Sequence, residues 1–310
     1  GTLVEAAKKL AEDSDDLVAR HATNTYARIF SLVWVDPYDK GMEELLSLHR
    51  EGTELGNFQF ASHAAHLYSQ ALLYHGTPLT RVYEVIGSSR EEMLQYNHYR
   101  TAKALAKYQQ GVECLLGGTS DPLVLTGSVI EELPYLRDLE RREDHLSISG
   151  FYMIKGFLAM YEQRSELALS YYRKLGEHQA TVTSFHDNAV AYFLWGIAAF
   201  REGAWREAED ALRKVGRWAR GEPANHRHRF LLLKAEGARA RGRLRRASRF
   251  YEEARRLAIR HDYPHEAALI AESHGDLLSG VSESDHRSRE LFYLAQSLYS
   301  RWGAHHAADR

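Results

Sequence analysis

Apolar residues along this chain recur at intervals of three and four, and no stretch alternates apolar with polar as a half-buried strand would. Amphipathic helices are therefore predicted throughout. The clearest stretch is AVAYFLWGIAAFREGAWREAEDALRKVGRWA, where Tyr192, Trp195, Gly196 and Ala199 precede a break at Gly203 and Ala208, Leu212 and Val215 follow it. Two helices meet at that glycine. Gly196 and Ala208 are expected on facing turns, where a missing side chain lets the backbones approach, which is the packing logic of a helical hairpin.

The same pattern returns upstream as Tyr152, Gly156 and Ala159, then Ala168, Tyr172 and Leu175, with Gly156 and Gly196 40 residues apart. Ala235 takes the small-residue position 39 residues beyond Gly196, ahead of Gly242, Ala247, Tyr251 and Ala254. A blurred fourth copy places Gly275 or Asp276 at that position, with Ser288, Phe292 and Ala295 behind. A period near 40 held over 145–310 predicts an α-solenoid. Residues 1–116 read as further hairpins. The acidic run Asp13 to Asp16 starts a helix that ends near Trp34, a second covers Tyr38 to Leu55, and a third stops at Gly76. Thr77-Pro78 opens a fourth, a long helix is expected from about Arg90 to Leu116, and Asp121-Pro122 starts shorter helices inside an irregular unit, 117–144. The whole chain is thus expected to be one all-α domain, a right-handed superhelix of antiparallel hairpins.

Composition narrows the context. The 310 residues are 44% hydrophobic and 26% charged, which excludes a disordered chain. No apolar run is long enough to span a membrane, and a single cysteine, Cys114, rules out an internal disulfide framework, so a reducing, cytoplasmic setting is expected. Gly1 and Thr2 lead directly into a polar helix, without a signal segment, so the chain is expected to be a segment of a longer protein. The formal charge of −2 conceals a polarity: residues 211–260 hold 14 Arg and 2 Lys against 4 Glu, or +12, and the flanks together carry −14.

The spacing of Tyr192, Trp195, Gly196 and Ala199, then Ala208 and Leu212, resembles the tetratricopeptide repeat, lengthened from roughly 34 residues. Three stretches, LGNFQFASHAAHLYSQALLYHGTPL, GGTSDPLVLTG and RRASRFYEEARRLAIRHDYPHEAALIAE continuing to AQSLYSRWGA, resemble the helical array of large modular signalling proteins. Those proteins join an N-terminal Ser/Thr kinase and a signal-transduction P-loop ATPase to the array, often with a sensor and histidine kinase after it. Their Tyr-x-x-Trp-Gly-Ala element is matched by Tyr299, Trp302, Gly303 and Ala304. The resemblance implies a non-catalytic interaction and sensor module that binds a partner or neighbouring domain, since the catalytic modules would lie outside this segment.

No P-loop, GxGxxG, GxSxG or kinase catalytic loop occurs, so no catalytic residue and no cofactor is assigned and a non-enzyme is expected. The histidine sets His63 and His66, His226 and His228, His261 and His265, and His305 and His306 supply at most pairs where zinc wants three or four ligands; no metal site is assigned. Cys114 sits in an apolar stretch and is expected buried and inert. Two features carry binding chemistry. Met153, Phe157 and Met160 in one repeat and Phe193, Ile197 and Phe200 in the next form an apolar ribbon, which is either the lining of a concave partner-binding groove or, in a tighter superhelix, core. Arg241, Arg243, Arg245, Arg246, Arg249, Arg255 and Arg256 form a basic patch, which is either a solvated face or a site for an acidic protein surface, nucleic acid or a phosphate ligand. A protein partner in the groove is the first expectation and phosphate or nucleic-acid recognition by 211–260 the alternative.

Overall fold

A computed structural model describes residues 15–178, 187–279 and 285–310, with Ala6 and Lys9. Asp13, expected to open the first helix, lies outside them. Every regular element among the described residues is a helix, and fifteen follow one another, each packed on its neighbours, as in an α-solenoid. They are α1 (Leu17–Val35), α2 (Tyr38–Glu54), α3 (Phe58–His75), α4 (Leu79–Gln95), α5 (Tyr99–Leu115), α6 (Glu132–Arg141), α7 (His145–Tyr161) and α8 (Ser165–Glu177). The remainder are α9 (Asp187–Arg201), α10 (Trp205–Gly221), α11 (Pro223–Ala240), α12 (Leu244–Arg260), α13 (Pro264–Ser279), α14 (Asp285–Trp302) and the short α15 (His305–Asp309). None of the described helices is long and apolar enough to cross a membrane.

Local chemistry explains the boundaries. Asp16 caps α1 by accepting from the amides of Val18 and Ala19, and Pro264 sits at the first position of α13, where a missing N–H costs nothing. The hairpin turns share one closure, a left-handed residue followed by an amide that reaches back five residues. It appears at Gln163 (φ 55°), Gly203 (φ 71°) and Gly242 (φ 69°), with Arg164, Ala204 and Arg243 donating to the carbonyls of Ala159, Ala199 and Ala238. The turn thus repeats in step with the hydrophobic pattern. The same device corrects the long helix expected from Arg90 to Leu116: α4 ends at Gln95, Asn97 turns left-handed at φ 63°, and α5 begins at Tyr99. Asn tolerates that conformation without a glycine to announce it. In 117–144 only α6 is regular; the loop before it is held by side chains, with Gln110 accepting from the amides of Val129 and Ile130, and Lys155 paired with Glu132.

The helices form two layers. The outer helices α10 and α12 bury one stripe of mostly small residues, Ala208, Ala211, Val215 and Ala219 in one and Ala247, Tyr251, Ala254 and Ala258 in the other. The inner helices α3, α5, α7, α9, α11 and α13 are buried nearly all round. Glycines set the close approaches. A Cβ on Gly156 would lie 2.7 Å from the Tyr172 ring, and one on Gly275 would lie 3.0 Å from the Phe292 ring, which fixes Gly275 as the small position of the fourth repeat. Gly196 meets Ala211 and Leu233 rather than the expected Ala208.

The first hairpins pack against the last. Trp34 lies 4.9 Å from Trp218 between ring centroids, and Asn225 accepts from the Tyr38 amide while donating to the Asp36 carbonyl. Gly76 abuts His265, and Gly303 lies against Leu79 and Leu116. The interior of the curve is therefore filled. Met153, Phe157, Met160, Phe193, Ile197 and Phe200, the expected groove lining, are all 2% exposed or less, with Phe157 against Tyr74 and Trp302. They are core and offer no free surface to a partner, because closure brings the N-terminal helices onto them.

Candidate functional site

Position by position, the ribbon continues where its chemistry changes. Adding the repeat spacings, Phe157 and Ile197 correspond to Glu236 and Asp276, and Met160 and Phe200 to Arg239 and Ser279. The apolar half is sealed up to Phe200, which also edges the ionic half. The ionic half lines a cavity of about 540 Å³ with Phe200, Arg201, Trp205, Glu236, Arg239 and Asp276 on its walls. Arg201 reaches from α9 to Gln163 (2.8 Å), Glu236 (3.1 Å) and the Ser273 hydroxyl (2.7 Å), tying the inner helices α9, α11 and α13 together. Arg310 bridges Glu162 (3.2 Å) and Glu272 (3.1 Å) nearby. Burial pushes the Asp276 and Glu162 carboxyls above the ordinary carboxylate range, although the neighbouring arginines pull them back. This network was not singled out from the sequence, although its signal was there: charged residues in the ribbon register of the third and fourth repeats.

Deeper still, Glu266 receives the Arg229 guanidinium (Nε to Oε1 2.9 Å) and His228 Nε2 (2.6 Å to Oε2), all three 1% exposed or less. Burial alone would raise the Glu266 carboxyl, but Arg229 and His228 hold it well below the usual range. The surroundings are aromatic: Tyr38, Phe193 and Tyr263 all lie within 6 Å of the Arg229 guanidinium. This is a closed ion pair at the centre of the ring of helices.

The basic patch is the exposed feature. On α12 and the turn before it, Arg241, Arg243, Arg245, Arg246, Arg249 and Arg256 are exposed and Arg255 is half-buried. Two are spoken for, Arg241 by Glu209 (2.8 Å) and Arg255 by Glu252 (2.6 Å). The others divide by direction. Arg245, Arg249, Arg256 and the equally exposed Arg260 recur at helical spacing as an outer stripe, and no carboxylate among the described residues is within ion-pair reach of them. Arg243 and Arg246 instead turn toward α11, where with Lys234 and Arg241 they line a hollow of about 190 Å³ walled by Leu212 and Phe250.

Among the described residues no group of three or more His, Cys, Asp or Glu side chains is placed to hold a metal ion. Cys114 is buried, donates to the Val124 carbonyl at 3.4 Å, and has its thiol pushed up by burial, the opposite of a reactive thiolate. The arrangement offers charge recognition on a rigid scaffold. No protein-family model and no curated protein matches the chain.

Proposed function

We propose that this chain is a non-catalytic, tetratricopeptide-like interaction array of a larger signalling protein, and that it docks an acidic surface of a partner or neighbouring module on the outer arginine stripe of α12. The observation that carries this reading is the unpaired stripe Arg245, Arg249, Arg256 and Arg260, on a molecule whose expected apolar groove is sealed. Other exposed cations such as Arg173, Lys40 and Arg213 are matched, by Glu207, Asp36 and Asp210. A rigid row of unmatched guanidinium groups raises the on-rate and orientation of an acidic partner more than it raises intrinsic affinity.

Anisotropy titration with a labelled Asp/Glu-rich peptide tests the reading. Arg245→Glu, Arg249→Glu and Arg256→Glu together should weaken binding at low salt by more than about tenfold, with helical content unchanged. Equal affinity in the variant sinks it. The same stripe supports nucleic-acid recognition as a second reading. That reading requires single-stranded DNA to out-compete the peptide, with log affinity falling linearly in log salt.

A further inference from the structure

The hollow between α10, α11 and α12 has a chemistry of its own, carried by side chains other than the outer stripe. Lys234, Arg241, Arg243 and Arg246 converge on about 190 Å³ of space, and the remaining lining, Leu212, Gly237, Ala238 and Phe250, is without charge. Two of the cations lean on one ring, with Lys234 Nζ 4.1 Å and the Arg246 guanidinium 5.5 Å from the Phe250 centroid. A third, Arg241, is fixed over Trp205 at 4.7 Å and donates to the Gly237 carbonyl at 2.9 Å. The acids near this ring are Glu209, on Arg241, and Glu253, which acts on Lys234. Lys234 bears the mark of the crowding, its ammonium held below the usual range by burial and by Arg227 and Arg246.

The start of α12 adds to this. Arg243 occupies the N-cap with no side-chain acceptor, and the first turn carries no acid. A helix start ordinarily favours Asp, Ser or a bound anion, because its first amides lack intrahelical partners and carry partial positive charge. Here arginines stand in that place, so helix dipole and side chains repel each other until an anion enters.

We propose that this hollow binds a phosphate monoester, with Lys234, Arg241, Arg243 and Arg246 as its ring of cations. Its size admits one tetrahedral group instead of a tracked polymer backbone, and several converging cations reward the second charge that a monoester carries near neutral pH and a diester lacks. Held cations need little ordering on binding.

The probe is a short neutral peptide carrying one phosphoserine, titrated calorimetrically into the whole chain, with the unphosphorylated peptide, inorganic phosphate and single-stranded DNA as further titrants. Saturable binding of the phosphopeptide is expected, together with weaker binding of inorganic phosphate and none of the unphosphorylated peptide. Arg243→Gln with Arg246→Gln should weaken binding by at least roughly tenfold, and Lys234→Met alone by a smaller factor, whereas Arg249→Gln with Arg256→Gln should stay within about twofold. Helical content and thermal midpoint of each variant are read alongside. No saturable binding by the unmodified chain, unchanged affinity in both hollow variants, or an equal loss from the outer pair overturns the proposal. Tighter binding of DNA than of the phosphopeptide, lost in the hollow variants and kept in the outer pair, overturns it as well. The stripe and the hollow fail independently, because each is removed without touching the other.

Discussion

Replacing Glu266 with Gln tests the interior most directly. The change keeps the size of the side chain and one acceptor but removes the charge that Arg229 faces at 2.7 Å. Arg229 is 0% exposed and cannot shed its proton, so the variant leaves a full positive charge among Tyr38, Phe193 and Tyr263. Breaking a buried pair on one side costs about 3–5 kcal/mol. The lower end applies, about 3 kcal/mol, because the amide oxygen still accepts and the three rings face the cation with their π clouds. Against a total of about 5–15 kcal/mol that is a large fraction. Equilibrium denaturation in urea, followed by both near- and far-ultraviolet circular dichroism, reads the loss. Arg229→Met combined with Glu266→Leu should recover most of it, since the desolvation of both charges disappears together. A loss below about 1 kcal/mol in Glu266→Gln, the range of a solvated pair, refutes the reasoning. A double variant as unstable as the two single changes added would refute it equally.

Two further outcomes follow from the same packing. Gly156→Ala drives a Cβ to 2.7 Å from the Tyr172 ring, and overpacking of this kind should cost about 1–3 kcal/mol in a denaturation midpoint; a neutral result would mean that α7 and α8 slide apart freely. Acid should destabilise the fold well above the carboxylate range. Burial pushes His265 down to about 3 and His274 to about 4, so both stay neutral when folded, whereas the unfolded chain takes up their protons below about pH 6.5. Their contribution is complete above that pH and is lost as pH falls toward the folded values. Asp187, pushed up to about 6 by burial, works in the opposite sense, as do Asp276 and Glu162, whereas His63, His75 and His228, also lowered by burial, add to the two histidines. The urea midpoint should therefore fall between pH 7 and 5; a flat midpoint over that interval contradicts the assignment.

Much of the architecture was legible in the pattern of apolar positions. The hairpins from Gly156 onward, the turns at Gly203 and Gly242, and the small residue at Gly275 sit in the register read from the repeat. Boundaries failed where a left-handed residue was not glycine, as at Asn97. The ribbon Met153 to Phe200 was found correctly as a register, but its environment was not, because burial depends on helices more than a hundred residues away folding back onto it. For the same reason the Arg229–Glu266 pair, contributed by α11 and α13 and walled by Tyr38 of α2, leaves no local trace. The arginine run was visible as composition. Its division into an outer stripe and an inward hollow needed the neighbouring helices, because Lys234 and Leu212 come from different ones.

Closure of the helices onto themselves also bears on how the chain is made. In an open row of repeats each hairpin finds its partners within its neighbours, so early units can consolidate while later ones are still being synthesised. Here the amide of Tyr38 waits for Asn225, 187 residues on, and the C-terminal end of α3 waits for residues as late as His265. The apolar lining of the opening hairpins therefore stays uncovered until most of the chain exists. Folding is expected to finish slowly, in one late docking step, with that lining as the surface most exposed to mispairing in the interval.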